Sequence, residues 1–76
     1  MITVLNEHVI GSIKAEMAWQ HLTQLDVAIR LGWRPEYLQR RLAGKVALSI
    51  TDVEQIGGAL GVSFLQPMGY PARRAS

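Results

Sequence analysis

The side chains best equipped for chemistry crowd into one stretch. Between residues 34 and 45 stand Arg34, Glu36, Tyr37, Gln39, Arg40, Arg41 and Lys45. A guanidinium offers a rigid fork of donors that fits two acceptors at once, and a carboxamide offers donors beside an acceptor. Such groups suit recognition of planar, hydrogen-bonding or anionic partners better than bond-making. The groups that bond-making would need are sparse elsewhere. The chain has no cysteine, hence no thiolate nucleophile and no disulfide framework. His8 and His21 have no acid at ligand spacing and read as surface residues rather than metal ligands. Ser12, Ser49 and Ser63 lie in no nucleophile setting; Ser49 and Ser63 are better read as helix caps. Gly57-Gly58 falls inside a helical pattern rather than after a strand, which excludes a phosphate-cradling loop. At 76 residues the chain supports one domain with a modest aliphatic core and no deep pocket of its own. The expectation is a binding protein rather than an enzyme, with no cofactor.

Two short predicted helices must position this cluster. Thr23 offers an N-cap oxygen and Gln24 opens the first of them. Leu25, Ala28, Ile29 and Leu31 recur at near-helical spacing, with Asp26 in the first turn and Arg30 in the last. Gly32 then supplies the left-handed conformation that ends a helix. Trp33-Arg34-Pro35 follows. Proline suits the first turn of a new helix and pushes Arg34 toward the extended conformation of an N-cap. The second helix runs from Pro35 to about Ala43, with Leu38 and Leu42 on one side and Glu36, Tyr37, Gln39, Arg40 and Arg41 on the others; Gly44 stops it. A helix that ends in glycine, turns within about three residues and restarts as a short polar helix has the layout of a helix-turn-helix. In that motif the second helix enters the DNA major groove.

Charge follows the same division. Residues 30–45 hold Arg30, Arg34, Arg40, Arg41 and Lys45 against Glu36, a balance of +4 within a net charge of +2. Residues 1–29 balance to −2, and residues 46–76 to zero. A basic patch of this kind attracts the phosphate backbone and displaces its counterions.

The residues themselves resemble a family, the phage Cro and repressor type of helix-turn-helix domain. Ala28 and Gly32 stand where that family has its small helix-two residue and its turn glycine. Leu38 matches the apolar anchor of the recognition helix. Gly44-Lys45 matches a glycine-lysine loop, and Ile56-Gly57-Gly58-Ala59-Leu60-Gly61-Val62 matches a fourth helix with a Leu-Gly-Val ending. The resemblance covers roughly Ile10 to Leu65. It implies an all-α fold, a compact bundle of four to five short helices of the lambda repressor-like kind; the expected domain spans residues 1–66, and residues 67–76, from the helix-stopping Pro67 on, read as a flexible tail. It also implies that Gln24 bonds a phosphate and that the N-terminal part of the second helix reads base edges. Arginine pairs with guanine and glutamine with adenine. The candidate base contacts are therefore Arg34, Glu36, Tyr37, Gln39 and Arg40, and the candidate phosphate contacts Gln24, Arg41 and Lys45. Glu36 has a second reading, as a complement to the positive helix end.

The chain departs from the family at two adjacent positions. Arg41 falls where the family places an apolar residue. Leu42 falls where many members have an acid that pairs with a helix-one arginine, and Met17 occupies that arginine's position. The departures predict that Met17 packs on Leu42, an apolar pair in place of a buried ion pair. That pairing would leave Arg41 free to point outward.

The remaining elements follow from local signals. Asn6 is a candidate N-cap for a first helix over about residues 6–20, with Val9, Ile10, Ile13, Met17 and Leu22 as its stripe. Ser49 and Thr51 each stand three residues before an acid, and Thr51 is favoured as the cap of a helix running to about Leu60. Gly57-Gly58 suggests close approach of another helix. Ser63 opens a short fifth helix that Pro67 ends. Trp33 reads as a partly buried turn plug. The expected core is Val9, Ile13, Met17, Leu22, Leu25, Ala28, Ile29, Leu38, Leu42, Val53, Ile56, Leu60 and Phe64.

The leading expectation is a sequence-specific double-stranded DNA-binding transcriptional regulator acting by operator occupancy, in a bacterial cytoplasm and without a membrane segment. A weak or DNA-induced homodimer is expected, because Pro67 shortens the final helix. Two other readings stand beside it. One is an antitoxin or recombination directionality factor. The other is a helical protein-interaction module, with Trp19, Phe64 and Tyr70 as its exposed patch.

Overall fold

In a computed structural model, residues 2–64 are described, with side chains from Asn6 onward. They form four α-helices and no strand: α1 (Ile2–Trp19), α2 (Gln24–Leu31), α3 (Pro35–Leu42) and α4 (Ile50–Leu60). The fold is the expected all-α bundle. Helix α2 packs against both α3 and α4, and α1 against α4.

All four helices end in the same way. At Gly32 the chain is left-handed (φ 72°), the Trp33 amide donates to the Ala28 carbonyl at 2.9 Å, and the Gly32 amide to that of Ile29 at 3.2 Å. This crossed pair satisfies two carbonyls that a helix end leaves open, and it turns the chain sharply. The same pairing recurs around Gly44 and Gly61. After α1 it forms around His21, a non-glycine residue at φ 59°.

Helix-period stripes supply the core. Ile10, Ile13 and Met17 come from α1, Leu38 and Leu42 from α3, and Val53, Ile56 and Leu60 from α4. Each fully buried aliphatic side chain contributes roughly 1.5–3 kcal/mol relative to exposure. Met17 and Leu42 both lie in this core cluster.

Helix α2 corrects the expected stripe. Val27 and Ala28 are buried, whereas Leu25 and Ile29 are 54% and 69% exposed. The helix carries two i, i+4 apolar pairs, Leu25/Ile29 and Val27/Leu31, displaced by two residues and hence by about 200° around the axis. Periodicity does not choose between them. Contact with α3 and α4 does, because small Ala28 beside Val27 permits close approach.

Three further expectations are corrected. Helix α1 is already formed at Ile2, so Asn6 is no cap; its side-chain oxygen instead accepts the Leu48 amide at 3.1 Å, tying the α3–α4 loop to α1. The cap of α4 is Ser49, not Thr51. Ser49 Oγ accepts the Asp52 amide at 3.0 Å and Asp52 Oδ2 accepts the Ser49 amide at 3.1 Å, a reciprocal capping box. Gly57 is closely approached, though by the α4 chain end rather than by another helix: a Cβ there would sit 2.6 Å from the Val62 carbonyl oxygen. Trp33 is the half-buried plug expected of it, packed against the core. The proposed fifth helix beyond Phe64 and the tail over 67–76 lie outside the described residues.

Candidate nucleic-acid interface

Helix α3 is fixed from beneath. Leu38 and Leu42, one turn apart, are both buried, and Gln39 and Arg40 between them face outward. Pro35 occupies the first helical turn, and Arg34 before it is extended (φ −70°, ψ 140°) and makes no side-chain cap. Its guanidinium is therefore left for other partners. Arg34, Glu36, Gln39 and Arg40 are exposed on α3 and its entry, Lys45 is exposed beyond the helix end, and Gln24 is half-buried at the start of α2. Arg34, Glu36, Tyr37, Arg40, Arg41 and Val46 together line one open depression.

On this face the structure separates two sets of side chains. One set is committed. Tyr37, 39% exposed, donates its hydroxyl hydrogen to Asp52 Oδ1 at 3.1 Å and meets the Trp33 ring edge-on, centroids 4.7 Å apart. Arg41 donates from Nε to Asp52 Oδ2 at 3.2 Å and from Nη1 to the Tyr37 carbonyl at 3.2 Å, and its guanidinium carbon lies 3.5 Å from the Tyr37 ring centroid. The expectation that Arg41 points outward is corrected. The guanidinium is drawn to the carboxylate at the start of α4 and to the tyrosine face. The other set, Arg34, Glu36, Gln39 and Arg40, makes no side-chain hydrogen bond or ion pair with the described residues.

Asp52 is the residue that sequence reasoning missed. It is 7% exposed, and burial by itself would raise its pKa. The Ser49 amide, the Arg41 guanidinium, the Tyr37 hydroxyl and the Ser49 hydroxyl outweigh that effect and hold the carboxyl below the ordinary carboxylate range. Ser49-x-x-Asp52 was visible as a capping box. The second use of the same carboxylate needs α3 to lie across the start of α4, and no local spacing announces that.

The ends of α1 and α2 are braced elsewhere. Arg30 Nη1 donates to the Ala59 carbonyl at 3.0 Å, and Gln20 Nε2 donates to the Leu60 carbonyl at 2.7 Å and to Glu16 at 2.8 Å. These carbonyls belong to the last turn of α4, where helix acceptors lack intrahelical partners. Part of the basic excess on residues 30–45 is thereby spent on the fold.

With a sharp corner at Gly32, a short second helix anchored by Leu38 and a polar outer face, the molecule has the geometry of a DNA-reading helix-turn-helix. A helix-turn-helix family model matches residues 13–66. The chain belongs to the Cro/repressor-type helix-turn-helix family, whose members are DNA-binding transcriptional regulators. Searches of curated proteins and of solved structures gave no match. Among the described residues no helix is long and apolar enough to cross a membrane.

Proposed function

We propose that the protein is a Cro-like or repressor-like regulator that binds a specific double-stranded DNA site and acts by occupying it. The observation that carries this reading is the exposed outer face of α3, with Arg34, Gln39 and Arg40 unclaimed by the described fold. In this reading Arg34, Gln39 and Arg40 meet base edges, where bidentate pairs discriminate by about 1–3 kcal/mol each. Glu36 lies near the bases as well, accepting from cytosine or complementing the α3 dipole. Gln24 and Lys45 hold the phosphates on either side. Two copies on a palindrome, about one helical turn apart, would pair weakly in solution and more firmly on DNA.

Selection of bound sites from random duplexes, followed by Arg40→Ala, tests the assignment. Loss of preference at one base-pair position is the expected result. Equal weakening on every sequence would make Arg40 a phosphate contact instead. Duplex binding that does not weaken as salt rises would remove the reading altogether.

A further inference from the structure

We infer that Asp52 is a positioning residue for α3, neutralising Arg41 and keeping that arginine from the DNA phosphates. The inference rests on the reading of α3 as the DNA-contacting helix. Three guanidinium groups, Arg34, Arg40 and Arg41, border one depression on this face. An arginine there would ordinarily add to non-specific phosphate attraction, because such attraction scales with the number of cations that neutralise phosphates. Arg41 differs from the other two in its burial and in its partners. Its side chain is 17% exposed, its Nε is on Asp52, its Nη1 is on the Tyr37 carbonyl and its guanidinium carbon lies over the Tyr37 ring.

Asp52 is held in turn. Its backbone amide is bound to the Ser49 hydroxyl, Oδ2 accepts the Ser49 amide and Oδ1 accepts the Tyr37 hydroxyl. The carboxylate belongs to a helix cap, so it is fixed by α4 and cannot follow α3 if α3 shifts. Tyr37 and Arg41, one turn apart on α3, both close on it. The arrangement sets the orientation of α3 against α4 and removes one positive charge from the face at the same time. Base readout is left to Arg34, Glu36, Gln39 and Arg40, with a smaller sequence-independent background.

The test is the salt dependence of duplex binding for the wild type, Asp52→Asn, Arg41→Gln and the double variant, with the selected site and with random duplex. Asparagine keeps the size and the acceptor of the cap while removing the charge. Asp52→Asn should steepen the slope of log K against log salt by about 0.9, the increment of one further phosphate neutralised. It should also raise affinity for random duplex more than for the selected site. Arg41→Gln should leave the wild-type slope unchanged, and the double variant should return to it. A residue that only caps α4 would lower the melting temperature without moving the slope, and an unchanged Asp52→Asn slope overturns the inference. So does a slope about 0.9 shallower in Arg41→Gln, which decides the matter even if Asp52→Asn fails to fold. A wild type that binds no duplex in a salt-dependent way fails the underlying DNA-binding reading instead, and the inference falls with it.

Discussion

Helices α2 and α4 carry the same punctuation and use it differently. Each opens with a reciprocal capping box, Thr23 with Asp26 and Ser49 with Asp52, and each closes on a left-handed glycine, Gly32 and Gly61. The Asp26 carboxylate stands in solvent and serves its own helix; the Asp52 carboxylate is covered and also receives Tyr37 and Arg41 from α3. At the far ends, Ala28 and Gly57 occupy equivalent places, each giving its carbonyl to the amide just past the glycine. Ala28 has room for its methyl group, whereas Gly57 has none, with the Val62 carbonyl 2.6 Å from where a Cβ would be. One local motif thus takes very different values according to what the rest of the chain lays over it.

Four experiments probe this contrast. Asp52→Ala should have the largest effect, a loss of about 2–4 kcal/mol in chemical denaturation, since it removes a cap and leaves Arg41 half-covered without its partner. Asp26→Ala should lose far less. An equal loss at both positions would show that the link to α3 contributes nothing. Next comes the glycine pair: Gly57→Ala should destabilise by about 1–3 kcal/mol, because the chain after α4 must move. Its neighbour Gly58→Ala should stabilise by about 0.5–1 kcal/mol, since a Cβ there meets nothing within 4 Å. Thermal melts of the two would be expected to move in opposite directions.

The cap hydroxyls give a smaller separation. Ser49→Ala should cost about 1 kcal/mol and Thr23→Ala less, because Ser49 also orients the carboxylate that Arg41 uses. The smallest effect is in the acid limb. Both carboxyls are held below the ordinary range in the folded chain, Asp52 against the opposing effect of burial and Asp26 chiefly by the Thr23 amide. The unfolded chain therefore binds their protons first, and stability is complete above about pH 4 and falls as pH drops through the lowered native values. Asp52→Asn should flatten this acid limb more than Asp26→Asn, as followed by urea titrations between pH 2 and pH 5.

Much of the candidate interface was legible from residue order. Gly32, Pro35 and the Leu38/Leu42 pair define a corner and a short helix with a polar outer face, and these are local requirements of backbone and period. The side-chain roles within that face were less legible. Arg41 and Arg40 are adjacent and chemically identical in sequence, yet Arg41 turns to a carboxylate eleven residues later and Arg40 does not. Asn6 had the composition of a cap and became a tether for the α3–α4 loop, because helix α1 continues in front of it.

Sequence alone determined the corners at Gly32, Gly44 and Gly61 and the existence of α2, α3 and α4, since glycine, proline and capping side chains act on their own backbone within a few residues. It also determined the basic character of residues 30–45. Only the tertiary structure decided which face of α2 is inward and which arginines are spent. Two apolar stripes on one helix, or two neighbouring cations, are equivalent until packing brings α3 and α4 against them and desolvates one choice.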